Sequence, residues 1–176
     1  MFAYRSFVMR RIRIIGIDPS LVACGWGVVD MEGQKLFHIA HGVIRPPVKM
    51  PLPVRLQHLF GAFSDIIARY EPETAAVEEA FMKNNAASAL KLGQARAACI
   101  LSATHAGLSV GEYSPRSVKK SVVGTGAADK AQVAHMMNLL LPGSQVKAGD
   151  AADALAIAIC HAHRFMAQKT SIRRSA

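Results

Sequence analysis

Near its C-terminal end the chain reads GDAADALAIAICHAHRF (residues 149–165), with Asp150 and Asp153 opening an otherwise apolar, alanine-rich stretch. Only six Asp and six Glu occur in 176 residues, so two aspartates one helical turn apart stand out. Residues i and i+3 share a helix face. Two further acids end apolar runs: Asp18 closes IRIIGID, and Glu78, followed by Glu79, closes TAAVE. Carboxylates gathered at one point repel one another and call for a cation. Hard oxygen donors in an open, hydrated site suit Mg²⁺ or Mn²⁺. Two such ions about 4 Å apart activate a water and stabilise the leaving oxygen of a phosphodiester. Each acid also has a plainer reading. Asp150 and Asp153 suit a helix N-cap and first turn, at ~0.3–1 kcal/mol. Asp18 before Pro19 suits a turn, and Glu78 and Glu79 suit a solvated strand end.

The elements decide between these readings. IRIIGID is a β-branched run and reads as a buried strand. GWGVVDM and KLFHIAHGVIR follow as strands, joined by a hairpin turn in which Gly33 takes positive φ. RPPVKMPLP (45–53) reads as a loop. Leu56, Leu59, Phe60, Phe63, Ile66 and Ile67 then repeat at helical spacing over 54–70. A strand over 74–78, a long helix over 86–105 and a strand in LSVGEYS come next. A helix follows with Ser114 as N-cap, Pro115 at its first position and Gly124 past its end. ADKAQVAHMMNLLL forms another helix, stopped by Pro142-Gly143, and the last helix spans about 150–165. The order β-β-β-α-β-α-β-α-α-α predicts an α/β fold: a five-stranded mixed sheet, three antiparallel strands then parallel ones, with helices on both faces. If strands 1 and 4 lie side by side and parallel, Asp18 and Glu78 leave the sheet at one edge. A last helix starting over that edge brings Asp150 and Asp153 to the same point.

Composition narrows the partner. The chain carries 21 Lys+Arg against 12 acids, a formal net charge of +9. That excess favours a polyanion, nucleic acid first and an anionic membrane surface second. Cys24, Cys99 and Cys160 are widely spaced and odd in number, which suggests neither a zinc site nor a disulfide framework and fits a reducing, cytoplasmic setting. No apolar run is long enough to span a membrane, and the arginine-rich N-terminus does not resemble a signal peptide. Met9 offers a second possible start. The expected layout is an N-terminal extension over 1–11, one domain over 12–167 and a basic, frayed tail over 168–176. His161 and His163, two apart, do not share a helix face and make a poor metal pair.

IIGIDPS…CGWGVV, VEEAFMKNNAASALKLGQARAA, YSPRSVKKSVVGTGAADKAQV and DAADALAIAICHAHR together resemble the RuvC family of Holliday junction resolvases, in the family's order and spacing. The resemblance implies a ribonuclease H-like fold, in agreement with the strand order. It implies a homodimeric, Mg²⁺-dependent endonuclease, with Mn²⁺ as substitute and two ions per subunit. Such an enzyme nicks opposing strands of a four-way DNA junction symmetrically, prefers a short T-containing sequence, and works with the RuvA–RuvB branch-migration machine in recombination and repair. Matched motif to motif, the metal-binding acids are Asp18, Glu78, Asp150 and Asp153. Glu78 is chosen over Glu79 because the family's acid lies three residues before the motif phenylalanine, here Phe81. Lys119 and Lys130 match lysines near the reacting phosphate, and Phe81 matches an aromatic that stacks on bases. One departure is plain: the family's Asp-Pro-Gly is Asp18-Pro19-Ser20 here, and serine does not take positive φ as cheaply as glycine.

Lys83, Lys91, Arg96, Arg116 and Lys120 join Lys119 and Lys130 as expected phosphate contacts, with ordinary solvated charge as the alternative for each. Three rival functions differ in kind. A related ribonuclease H-like metal nuclease acts on an RNA–DNA hybrid or plain duplex. A non-catalytic protein only binds junctions. An actin-like or sugar-kinase-like ATPase shares a GID-type first strand, but needs two such domains. For a dimer, the expected contact is the alanine- and leucine-rich helix, whose apolar residues Ala89, Leu92, Ala95, the Arg96 stem, Cys99 and Ile100 leave enough for both core and partner, with a wholly core helix as the alternative.

Overall fold

The structure, a computed structural model, describes residues 10–79 and 85–174, with side chains placed up to Met166. Its elements follow the expected order: β1 (Ile12–Asp18), β2 (Cys24–Glu32), β3 (Lys35–Ile44), α1 (Leu52–Tyr70), β4 (Thr74–Glu78), α2 (Ala86–His105), β5 (Ser109–Tyr113), α3 (Pro115–Val123), α4 (Lys130–Leu140) and α5 (Asp150–Arg174). The sheet runs β3-β2-β1-β4-β5. β1 pairs antiparallel with β2 and parallel with β4, and β4 pairs parallel with β5. Two boundaries differ from expectation. α1 begins at Leu52 and takes Pro53 into its first turn, where a missing N–H costs nothing. α5 continues to Arg174, well past residue 165.

Period-two alternation along β1 sends its side chains to two cores. Ile15 and Ile17 join Ala75, Val77, Leu59, Phe63 and Cys99 under α1 and α2. Ile12 and Ile14 join Val29, Ala76, Leu155 and Ile159 under α3, α4 and α5. α2 buries Ala95, Ala98, Cys99 and Ala103. Ala95 and Cys99 therefore belong to the core share of this helix. Leu90 and Leu101, 66% and 59% exposed, lie on the outer side of α2.

α5 sits directly on the sheet because β1 and β2 offer glycines where it crosses. A Cβ on Gly16 would overlap the carbonyl oxygen of Ala154 and lie 2.6 Å from Ala158 N. A Cβ on Gly25 would overlap the carbonyl oxygen of Asp150. Gly25 is the register partner of Asp18, so this contact fixes the first turn of α5 beside the end of β1. Farther along, His161 ties α5 to the parallel strands. Its Nε2 lies 3.0 Å from Thr74 Oγ1 and its Nδ1 2.7 Å from the Tyr113 hydroxyl. Gly16→Ala is expected to destabilise the protein by about 3 kcal/mol or more, since backbone rather than a flexible side chain must yield. Urea denaturation checks this; a loss below about 1 kcal/mol would mean that α5 is free to shift.

Candidate active site

The acids arrive from three elements. Ile17 pairs with Val77 across the parallel β1–β4 ladder, so Asp18 and Glu78 leave the sheet side by side. The first turn of α5 supplies Asp150 and Asp153. Asp18, Glu78 and Asp153 line one cavity of about 300 Å³, together with Lys119 of α3 and Lys130 at the start of α4. α3 is aimed by its caps. The Ser114 hydroxyl accepts from Ser117 N–H, and Gly124 closes the helix at φ 83°. α4 begins with a reciprocal capping box between Asp129 and Gln132. Asp150 lines the neighbouring cleft instead, on the β3 side.

The electrostatics are those of a crowded anion cluster. Burial, then the charges of Glu78, Asp153 and Asp150, push Asp18 up to about 8. Burial and Asp153 push Glu78 up to about 7, with Lys119 and Lys130 opposing. Lys130 Nζ donates to Asp153 Oδ2 at 3.2 Å, and the attraction of Asp153 raises the lysine above its ordinary value. Among the described residues, no group of three or more His, Cys, Asp or Glu side chains is gathered tightly enough to hold a metal ion as it stands. The carboxylates face one another across the cavity, and Lys130 pairs with one of them. Their chemistry fits a divalent ion. Three carboxylates line one cavity with Asp150 beside it, and burial and mutual repulsion raise two of them.

The loop after Asp18 uses its serine differently from a glycine. Among the described residues, the only non-glycine residues with positive φ are Glu71 and Gln145, so Ser20 avoids that region. Its hydroxyl accepts from Val22 N–H at 3.1 Å and Ala23 N–H at 3.2 Å, a side-chain turn in place of a backbone one. Arg55 of α1 donates to Leu21 C=O at 2.6 Å and holds the same loop, a contact with no sequence-local sign.

The expected phosphate contacts divide. Lys91, Arg116, Lys120 and Lys130 are exposed, and Lys119 is half-buried at the cavity wall. Arg96 turns inward: its Nε donates to Glu78 C=O at 3.0 Å, and its guanidinium pairs with Glu112. It braces the end of β4 behind Glu78 instead of standing in solvent. Phe81 and Lys83 lie outside the described residues. His161 is occupied within the protein through both ring nitrogens, as described above, and His163 meets Ser121 Oγ at 3.0 Å. Among the described residues, no helix is long and apolar enough to cross a membrane.

Comparison with known proteins bears on this arrangement. The family model for crossover junction endodeoxyribonuclease RuvC matches residues 14–161. A crossover junction endodeoxyribonuclease RuvC of Maricaulis maris is 62% identical over 152 residues, covering 86% of this chain and 91% of that protein. One of Caulobacter vibrioides is 52% identical over 157 residues, covering 89% and 93%. Among solved structures, T. thermophilus RuvC in complex with Holliday junction substrate superposes with a TM-score of 0.82 at 32% identity, covering 89% of this chain and 96% of that one. The yeast mitochondrial Holliday junction resolvase shares the fold at a TM-score of 0.70 and 14% identity, covering 96% and 85%.

Proposed function

The chain belongs to the RuvC family of crossover junction endodeoxyribonucleases, and from that premise we propose that it resolves four-way DNA junctions by paired symmetric nicks at the Asp18–Glu78–Asp150–Asp153 cluster. The observation that carries the chemistry is the convergence of β1, β4 and α5 on one cavity, where burial and neighbouring carboxylates push Asp18 and Glu78 up. Asp18, Glu78, Asp150 and Asp153 would hold Mg²⁺, or Mn²⁺ in its place, with two ions per subunit. The chemistry such ions would supply is activation of a water and neutralisation of charge on the leaving oxygen.

The chain's own residues do the rest. Asp18 and Glu78 stand on adjacent strand ends and give the site its rigid side. Lys119, in the same cavity wall, faces charge that develops on the attacked phosphate. Lys130 pairs with Asp153 and lines the same cavity, within reach of a phosphate placed there. Phe81 and Lys83, with Lys91, Arg116 and Lys120, act on the junction arms. Arg96 acts as a positioning residue for Glu78.

Two cuts need two such sites, which a two-fold homodimer supplies through one patch used twice. The outer stripe of α2, Ala86, Leu90, Gly93 and Ala97, lines an open apolar groove and offers that patch. RuvA–RuvB is the proposed cellular partner, recombination and repair in the cytoplasm the proposed setting.

A cleavage assay tests the reading. A four-way junction is cut in Mg²⁺ and left intact in chelator, while a linear duplex with the same arm sequences survives. Equal cutting of both substrates would point to a general nuclease, and binding without nicking to a non-catalytic junction protein. In the same assay Lys119→Ala depresses the cleavage rate by about 10²-fold and weakens binding far less. Equal losses in both would make Lys119 a binding residue only.

A further inference from the structure

A second cleft, of about 380 Å³, borders the acid cluster on the β3 side and is lined by His41, Arg45, Gln145, Lys147 and Asp150, among others. It meets the acid cavity at the first turn of α5: Asp153 faces one and Asp150 the other. Arg45 is unlike most of the other described arginines. Arg10, Arg11, Arg13, Arg55 and Arg96 all bond within the protein. Arg45 and Lys147 are both exposed, and among the described residues neither has a hydrogen-bond or ion-pair partner. Asp150 does not pair with them, although it shares their cleft. Two uncommitted cations against one carboxylate leave the cleft net positive, at the margin of a cavity of opposite character.

We infer that this cleft holds the phosphate backbone of the strand being cut, next to the scissile position. A strand whose reacting phosphate lies over Asp18 and Asp153 continues to both sides of them. Toward α3 and α4 it meets Lys119 and Lys130. Toward β3 it passes Asp150 and enters the cleft, where Arg45 forks onto one phosphate and Lys147 meets it, or the next, as a point charge. Arg45 follows the last residue of β3, and Lys147 lies in the loop before α5. The two walls are therefore set by the same packing that places Asp150. Contacts of this kind fix the register of a strand without reading its sequence. The inference rests on the junction-cleaving reading above.

The test uses the full-length protein and a four-way junction, with Asp18→Asn as background so that binding is read without cutting. Adding Arg45→Ala and Lys147→Ala weakens junction binding by on the order of tenfold or more near 0.1 M salt, and flattens the plot of log affinity against log salt by about 0.7–0.9 per lost contact. The control is Lys35→Ala with Arg69→Ala on the same background, which removes equal charge at the opposite end of the strands, at the start of β3 and the end of α1, and changes both readings by less than about twofold. If the cleft and control variants behave alike, the inference fails, whether the cleft is idle or receives a protein partner. As a second arm, an iron chelate attached to the Lys147→Cys variant cuts the strand backbone beside the nick site. Scission confined to the uncut strands, or absent, would also overturn the inference. If the parent Asp18→Asn protein does not bind the junction at all, the functional reading itself fails, and the two failures are distinguished.

Discussion

Asp18→Asn is expected to abolish junction cleavage, by about 10³-fold or more, while junction binding stays as tight as in the parent or tighter. The change removes a proposed metal ligand and also one negative charge facing phosphate. Near-normal cutting in Mg²⁺ would show that Asp18 is not a ligand. Stability carries an independent signature. In the metal-free fold Asp18 sits at about 8 rather than its ordinary 3.8, so the folded state holds a proton that the unfolded chain has already released. Below about pH 4 both states are protonated and this group contributes nothing. Between about 4 and 8 the folded state loses ground as pH rises, and above 8 the cost is complete. Asparagine does not titrate. In chelator, therefore, the variant and the parent unfold at similar urea concentrations near pH 4, and near pH 8.5 the variant is the more stable, by up to a few kcal/mol. Added Mg²⁺ closes that gap by stabilising the parent alone. A variant less stable than the parent at pH 8.5 in chelator would contradict the crowded-anion description.

A mixed dimer of parent and Asp150→Asn subunits, isolated through two affinity tags, should nick one strand of the junction and leave the opposing strand uncut. Each proposed site cuts one strand, and no residue of one cluster replaces a ligand lost from the other. Nicked junction then accumulates to near completion while resolved duplex falls to background. Paired cuts from the mixed dimer would sink the two-site mechanism. So would full resolution by a species shown to be monomeric at the assay concentration. A companion substitution at the outer stripe of α2, Leu90→Glu, should push the protein toward monomers without disturbing the core, because Leu90 is 66% exposed.

The parts of the site that were legible in the sequence are those with local causes. A β-branched run ending in Asp18, a strand ending at Glu78, and the Ser114–Pro115–Gly124 punctuation of α3 each announce their own boundaries, and the structure has them at those positions. The adjacency of β1 and β4, a condition in the sequence reading, is what the sheet has. What escaped has tertiary causes. In sequence the apolar residues of α2 do not divide between core and partner, and only the fold assigns Ala95 and Cys99 to the core. Arg96 reads as one more exposed cation, and only the fold brings Glu78 C=O and Glu112 within its reach. Arg45 and Lys147 are far apart along the chain and meet only because β3 and the loop before α5 end at the same corner. The proline-rich 45–53 segment hid the start of α1, because proline is tolerated in a first helical turn as readily as in a loop.

The seating of α5 over Gly16 and Gly25 also has a consequence for how the enzyme comes into being. The site joins position 18 to positions 150 and 153, so its first ligand leaves the ribosome long before its last two. At about 5–20 residues per second, the chain spends several seconds with Asp18 and Glu78 made and no α5 to complete them. A nascent chain is therefore unarmed beside nucleic acid, whatever cations surround it. The same interval leaves Ile14, Val29 and Ala76 without the helix that covers them. A message broken before codon 150 thus yields a product that has neither the full set of acids nor a closed core.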